Sequence, residues 1–500
     1  MQQPLLEFAE LPGQLAEQLR EGNPWWAGRP GRVLPPYRRW AYGVLERRLE
    51  AGLAPAVVLR GPRQVGKTTL HEQFIQGLLK RGVPPNHLLR VQFDDLPTLR
   101  RVEEPILRLA RWFQHYILSS TFNEAAHAGN PAYIFLDEVQ NLEDWATQVK
   151  TLVDTHTVRV VVTGSSALRI EAGRDSLAGR VSTIDLGPFL LREIAGLQLN
   201  VDLVAPLKEN GLDAMLEPEF WQELASEGIR ERSARDQAFE WFSERGGYPL
   251  AYAQAGKVPW AQVADQLNET VIQRVIQHDL RMGQRGRKRD QQLLEELFRL
   301  ACRYAGQAPG QAHYVQELRQ ALAANIGWLR VLSYLKFLDG ALLIRLVRPL
   351  ELRLKRSKGN NKICLSDHGL RAAWLQEVVP LAPEKLQRVP HLADLAGHLA
   401  ESVVGYFLSG LPSLDLAHFP ERAAEPEVDF VLTIGETRIP LEVKYRKQID
   451  GHRDTLGLRA FLEKTAYNAP FGLLVTLQDG VTISDPRIIP IPLSSLLLMR

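Results

Sequence analysis

Two cysteines in 500 residues, Cys302 and Cys364, leave no material for a disulfide framework or a cysteine-rich zinc site. Long apolar runs are also missing. The longest, such as Leu493 to Met499, are under half of the roughly 20 residues a membrane span requires, so no membrane partner is expected. The opening MQQPLLEFAELPG lacks the basic stretch and unbroken apolar stretch of a secretory signal, and a cytoplasmic location is the expectation. Charge of one sign is scarce: the formal net charge is +2, so a nucleic-acid partner must be argued from local clusters and not from the total. Neither an internal repeat nor a low-complexity tract interrupts the chain. What remains is 45% apolar and 24% charged, the composition of a globular protein, with a mean hydropathy of -0.17. Its length is too great for one ordinary core and implies two to four domains.

Along the chain, residues 1–37 form an N-terminal extension containing NPWWAGRPGRVLPP, in which Trp25 and Trp26 suit either a packing clasp or a binding platform. From 38 to 194, short β-branched runs (AVVLRG, LLRVQFDD, AYIFLDE, VRVVVTGSS) alternate with helical stretches, which predicts a parallel sheet with helical crossovers. Residues 195–290 read as a helical lid or bundle. Residues 291–378 read as three helices and a basic hairpin, the layout of a winged helix. A proline-interrupted linker follows, with Pro380, Pro383 and Pro390, and residues 391–500 read as a helix followed by several strands.

The strand AVVLR runs into Gly61-Pro62-Arg63-Gln64-Val65-Gly66-Lys67-Thr68, a full match to G-x-x-x-x-G-K-[ST] in the strand-to-helix context that the motif requires. Glycines let backbone N–H groups approach phosphates, and the helix N-terminus adds a favourable dipole. Lys67 is expected on the β- and γ-phosphates, Thr68 on Mg²⁺, and Thr69 among the nucleotide-binding residues. A second motif, Tyr133 to Glu138, is a buried strand ending in two carboxylates: Asp137 suits the Mg²⁺ shell and Glu138 suits polarising the attacking water. Thr163 or Ser165, at the end of a third strand, could sense the γ-phosphate. ATP hydrolysis, and not binding alone, is expected.

Together GPRQVGKT, FLDEVQNLEDW, VTGSSA and SLAGRVSTIDLGPFLLREI resemble the bacterial and archaeal AAA+ ATPases usually catalogued with an uncharacterised C-terminal region. RGGYP at 245–249 and KICLSDHGL at 362–370 extend the resemblance over nearly the whole chain. It implies that Arg180, in Leu177-Ala178-Gly179-Arg180, could reach a neighbouring subunit's ATP, the alternative being a local salt bridge. A homo-oligomer, such as a ring, is the implied state.

In the last segment, Asp429 precedes Glu442-Val443-Lys444 by thirteen residues. Two strands joined by a short turn would bring Asp429 near Glu442 and Lys444, whose side chains share one face. Two carboxylates and a lysine so placed suit a divalent metal, Mg²⁺ or Mn²⁺, that activates water against a phosphodiester. The pattern resembles the PD-(D/E)XK nuclease superfamily, which includes restriction endonucleases and Holliday-junction resolvases. That resemblance implies a further acidic residue on a preceding helix, where Glu401 fits; Val428 stands where the superfamily's name pattern has proline. The expected fold is thus multidomain α/β: an AAA+ P-loop core, a helical lid, a winged helix and a nuclease-like α/β domain with Glu401, Asp429, Glu442 and Lys444 as its site.

Residues 345–362 hold seven basic residues and one acidic residue, and Lys355, Arg356 and Lys358 are the expected phosphate contacts. A second cluster, RMGQRGRKR, places Arg287 and Lys288 as further contacts, and the helix around Trp328 to Phe337 could enter a major groove. Two readings follow. One is a DNA motor with a metal-dependent nuclease, acting on duplex or branched DNA. The other is a nucleotide-controlled switch whose nuclease-like domain only binds DNA or a protein partner.

Overall fold

The computed structural model describes the chain apart from residues 1–10, 143, 165–176, 178, 209–210, 279–289, 352–358 and 422–424, and it divides into two compact units, Met1–Leu186 and Gly187–Arg500. Among the described residues no helix is long and apolar enough to cross a membrane.

The first unit is built on β1 (Ala56–Arg60), β2 (Leu88–Gln92), β3 (Tyr133–Asp137), β4 (Arg159–Gly164) and β5 (Val181–Asp185). All pair in parallel in the order β2-β3-β4-β1-β5. Every residue of β1 is buried, as is nearly all of β3 and β4, which is why these segments read as continuous apolar runs and not as alternating ones. The crossovers and flanks are α1 (Gly13–Gly22), α2 (Trp40–Ala51), α3 (Lys67–Lys80), α4 (Pro105–Phe113), α5 (Phe122–His127) and α6 (Trp145–Thr155). Trp25 and Trp26 both donate their indole N–H to Leu88 O, at 3.1 and 2.8 Å, and Trp26 packs against Trp112 and Phe113, so the tryptophan pair is a clasp over the start of β2.

In the second unit, the helices α7 (Leu191–Leu199), α8 (Pro218–Arg230), α9 (Arg232–Arg245) and α10 (Trp260–Leu267) precede α11 (Gln291–Arg303), α12 (Gln311–Leu322) and α13 (Trp328–Gly340). The antiparallel pair β6 (Ile344–Pro349) and β7 (Lys362–Leu365) follows, then α14 (His368–Leu375) and α15 (Ala393–Ser409). The chain closes with β8 (Asp415–Phe419), β9 (Val428–Ile434), β10 (Thr437–Lys444), α16 (Leu456–Leu462), β11 (Gly472–Thr476) and β12 (Ile488–Pro492).

These strands form one sheet, ordered β12-β11-β10-β9-β8-β6-β7. The boundaries drawn in sequence at 378 and 391 do not separate two sheets: β6 pairs in parallel with β8, Arg348 opposite Ala417 and Pro349 opposite His418. A hairpin left alone is marginal in water, and joining a larger sheet covers its open edge. The RGGYP and KICLSDHGL segments also meet. Asp367 caps α14 by accepting from Gly369 N at 2.6 Å and accepts from Gly247 N as well. A Cβ on Gly246 would lie 2.0 Å from Asp367 Oδ1, so only glycine allows this approach.

Candidate nucleotide site and acidic cluster

The end of β1, the loop 61–66 and the start of α3 make the first site. Gln64 and Gly66 have left-handed backbone, φ 64° and 91°, which curls the loop around its own N–H groups. A Cβ on Gly61 would sit 2.1 Å from Leu186 O, so the loop lies hard against the chain after β5. Arg39 buttresses it from outside by donating to Val65 O at 2.8 Å. Lys67 is buried and donates to Gly61 O and Pro62 O, at 2.9 and 2.8 Å, which holds its ammonium across the loop's concave side. Thr68 and Thr69 begin α3 directly behind it.

Asp137 ends β3, fully buried, and β4 brings Thr163 beside it. The Thr163 hydroxyl donates to Asp137 Oδ1 and accepts from Glu138 N at 3.2 Å. Glu138 takes left-handed backbone, φ 57°, a conformation that costs a non-glycine residue about 1–3 kcal/mol and recurs at functional sites. Gln140 donates to its carboxylate. Asp137 Oδ2 is buried without a hydrogen-bond partner among the described residues, with Arg90 Nη2 at 3.8 Å. A buried carboxylate oxygen in that state, with Thr68 at the facing helix start, fits a Mg²⁺ shell.

Sequence reasoning passed over His71, which lies one turn beyond Thr68. The ring is fully buried, packs edge-on to Phe135 at 5.4 Å and has its pKa pushed down to about 4, because burial outweighs the attraction of Asp137. It is neutral near pH 7 and acts as core packing under the site. Arg180 pairs with Asp154 at 2.5 Å in the same chain. Ser165 lies outside the described residues, as do Arg287, Lys288, Lys355, Arg356 and Lys358.

The second constellation comes from four elements: Glu401 from α15, Asp429 from β9, Glu442 and Lys444 from β10, and Lys362 from the start of β7. The antiparallel register sets Asp429 beside β10, where its Oδ2 accepts from Val443 N at 2.9 Å. Lys444 donates to Glu442 Oε1 at 2.6 Å. Lys362, only 1% exposed, donates to Asp429 Oδ1 at 2.8 Å and Glu401 Oε2 at 3.1 Å, with Glu427 Oε1 at 3.8 Å and the Phe430 ring 5.0 Å from its Nζ. The crowding shows in the acidities. Burial and the charge of Asp429 push the Glu442 carboxyl up to about 8 and raise that of Glu401. Asp429 is held below the usual carboxylate range, since Lys362 and the Val443 N–H outweigh its burial.

A divalent ion does not fit this donor set. Both oxygens of Asp429 and one each of Glu401 and Glu442 already accept hydrogen bonds, and of the rest only Glu442 Oε2 is buried without a partner among the described residues. Among the described residues no group of three or more His, Cys, Asp or Glu side chains is arranged to hold a metal ion. The structure brings Glu401, Asp429, Glu442 and Lys444 together, and sequence reasoning missed Lys362, which it had counted within the basic run 345–362. The signal available was KICL, an apolar strand that draws its first residue inward.

Residues 54–195 match a family model described as an AAA domain, and residues 236–378 match one described as a domain of unknown function (DUF8612). An uncharacterized protein of Methanocaldococcus jannaschii, MJ1637, is 23% identical over 307 residues, and the chain spans 58% of that relative's length with 58% of its own. Three solved structures are similar at low TM-scores. The Walker-type ATPase PABY2304 of Pyrococcus abyssi is 16% identical, covering 69% of this chain and 99% of that one, with a TM-score of 0.36. Cdc6p from Pyrobaculum aerophilum is 14% identical, with 69% and 96% covered and a TM-score of 0.26. The Hsp104–ADP complex of S. cerevisiae is 16% identical, with 65% and 41% covered and a TM-score of 0.27. The AAA match spans the parallel sheet and the whole of the loop, lysine and carboxylate arrangement described above. The first unit of this chain therefore carries an AAA-type P-loop ATPase core.

Proposed function

We propose that the chain is a nucleotide-controlled switch, in which ATP binding and hydrolysis in the first unit govern a C-terminal half that binds DNA without cutting it. The observation that carries the nucleotide half is the hydrogen-bonded link Glu138 N, Thr163 Oγ1, Asp137 Oδ1, which ties the ends of β3 and β4 together beside the P-loop. In this reading Lys67 leaves the loop carbonyls for the β- and γ-phosphates, and the backbone N–H groups of residues 61–69 cradle them. Thr68 and Asp137 hold Mg²⁺, which when bound offsets charge on the phosphates. Glu138 orients and deprotonates the attacking water, and Thr163 registers whether the γ-phosphate is present. DNA is the proposed partner on the strength of the basic runs at 281–289 and 345–362, with Arg287, Lys288, Lys355, Arg356 and Lys358 as phosphate contacts.

The second reading, a motor that cuts branched DNA such as a Holliday junction, is favoured by the meeting of Glu401, Asp429, Glu442 and Lys444 in one cluster. What sets the switch above it is Lys362, whose ammonium already takes up the Glu401 and Asp429 oxygens. One reaction series separates the two: ATP turnover and DNA cleavage measured without DNA and with single strands, linear duplex and a four-way junction, each in Mg²⁺ or Mn²⁺. The switch is expected to bind duplex, turn over slowly and leave every DNA uncut. Cleavage that disappears in Asp429→Ala would overturn it in favour of the motor nuclease. Indifference to all DNA, with retained turnover, would move the partner to protein.

A further inference from the structure

The second unit holds two lysines among four carboxylates, Glu401, Glu427, Asp429 and Glu442, beneath a sheet whose edge strand supplies the central cation. We infer that Lys362 is the resident cation of this cluster, taking with its ammonium the place of a divalent metal, so that the cluster binds no metal as the chain stands, and that its carboxylates, which now close on the ammonium, draw in around a divalent cation when that ammonium is removed. This deepens the reading of the C-terminal half as a module that does not cut.

Three observations carry it. First, the two contacts of Lys362 Nζ, 2.8 Å to Asp429 and 3.1 Å to Glu401, bridge carboxylates from different elements, which is the work a shared metal does between ligands. A second cation brought to the same oxygens would stand a few ångströms from the ammonium in a buried setting, where repulsion is weakly screened. Second, the ammonium is enclosed, with Lys362 only 1% exposed, and the strand that carries it is fixed. Lys362 is paired in β7 opposite Val347, and β7 is pinned to α15: Leu365 N donates to Ser402 Oγ at 2.8 Å, and a Cβ on Gly405 would come within 2.3 Å of Cys364 Sγ. Close packing therefore fixes the backbone of the lysine, while burial and ion pairs hold its ammonium. Third, the remaining charges are arranged for one occupant. Lys444 is directed to Glu442, and Glu442 Oε2 is buried with no partner among the described residues, so a third carboxyl borders the cluster without being taken up by Lys362.

The test is Mn²⁺ binding to the full-length, nucleotide-free chain, followed by electron paramagnetic resonance of the unbound ion. Wild type and Asp429→Asn are expected to bind the same number of Mn²⁺ ions, whatever the P-loop contributes. Lys362→Ala is expected to bind one ion more, at sub-millimolar concentration, and Lys362→Ala combined with Asp429→Asn to lose it. A wild-type site that disappears in Asp429→Asn would overturn the inference, as would a folded Lys362→Ala that gains none. Should Lys362→Ala fail to fold, the wild-type comparison with Asp429→Asn still decides. The two readings fail separately: DNA-stimulated rapid ATP turnover would sink the switch while leaving the metal titration unaffected.

Discussion

Glu138 is the residue on which turnover is expected to rest. It sits in strained left-handed backbone at the end of β3, anchored by Thr163 through its N–H and by Gln140 through its carboxylate. Glu138→Gln keeps the shape and both anchors but removes the base, so ATP hydrolysis is expected to fall by about 10²–10⁴-fold while nucleotide binding persists, measured by steady-state phosphate release and by retention of labelled ATP. Glu442 sets a second expectation. Its carboxyl titrates at about 8 in the fold against 4.5 as the ordinary value, so between these values the folded chain binds more protons than the unfolded one and stability falls as pH rises through the window. Glu401 and Glu427 are raised as well and add in the same direction, whereas the lowered Asp429 acts below the window. Glu442→Gln stays neutral throughout. Relative to wild type, its melting temperature is expected to be higher at pH 9 than at pH 5 by at least about 2 °C, and equal offsets at both pH values would show that Glu442 ionises normally. At this scale the P-loop was fully legible, because its chemistry needs eight consecutive residues and one strand. Lys362 was not: basic residues within one run look alike, and only the strand pairing of KICL separates the buried lysine from the rest.

Among the elements, what was readable followed the range of the interaction. The apolar runs of β1 to β5 announced a parallel sheet because buried strands need no polar face. The joining of β6 to β8 was hidden, since it brings together Arg348 and Ala417 across a linker that prolines mark as a boundary. The helix α15 shows the same limit in finer detail. Its apolar stripe and Glu401 could be read from spacing, but not that Gly405 is pressed onto β7 and β9, where a Cβ would meet Cys364 Sγ at 2.3 Å and the Phe430 ring at 2.8 Å. Gly405→Ala is therefore expected to destabilise the second unit by about 1–3 kcal/mol through overpacking. Because Lys362 and Glu401 depend on the same packing, their ion pair should loosen with it. Urea unfolding of the variant and of wild type measures the loss, and an unchanged midpoint would mean that α15 can shift without cost.

For the molecule as a whole, the open choice is whether turnover belongs to one chain or to an assembly, and Arg180 is where that choice can be read. Within the chain it is paired with Asp154 at 2.5 Å, and each side chain is more than a third exposed, so the pair is screened and contributes little to stability. A surface pair of that kind is easily exchanged. If copies assemble so that Arg180 of one reaches the γ-phosphate held by the next, Asp154 serves only as its resting partner. The two residues then separate in their effects. Arg180→Ala is expected to lower turnover by about 10³-fold with stability unchanged, the size of effect an arginine supplied across an interface produces. Asp154→Ala should leave turnover intact or raise it, and wild-type specific activity should climb with protein concentration. Mixing Arg180→Ala with Glu138→Gln chains tests the shared site directly, because some interfaces would then join a sound Glu138 to a sound Arg180 and restore part of the activity. Two variants that fail equally alone and together, at every concentration, would confine Arg180 to its salt bridge and make hydrolysis the property of a single chain.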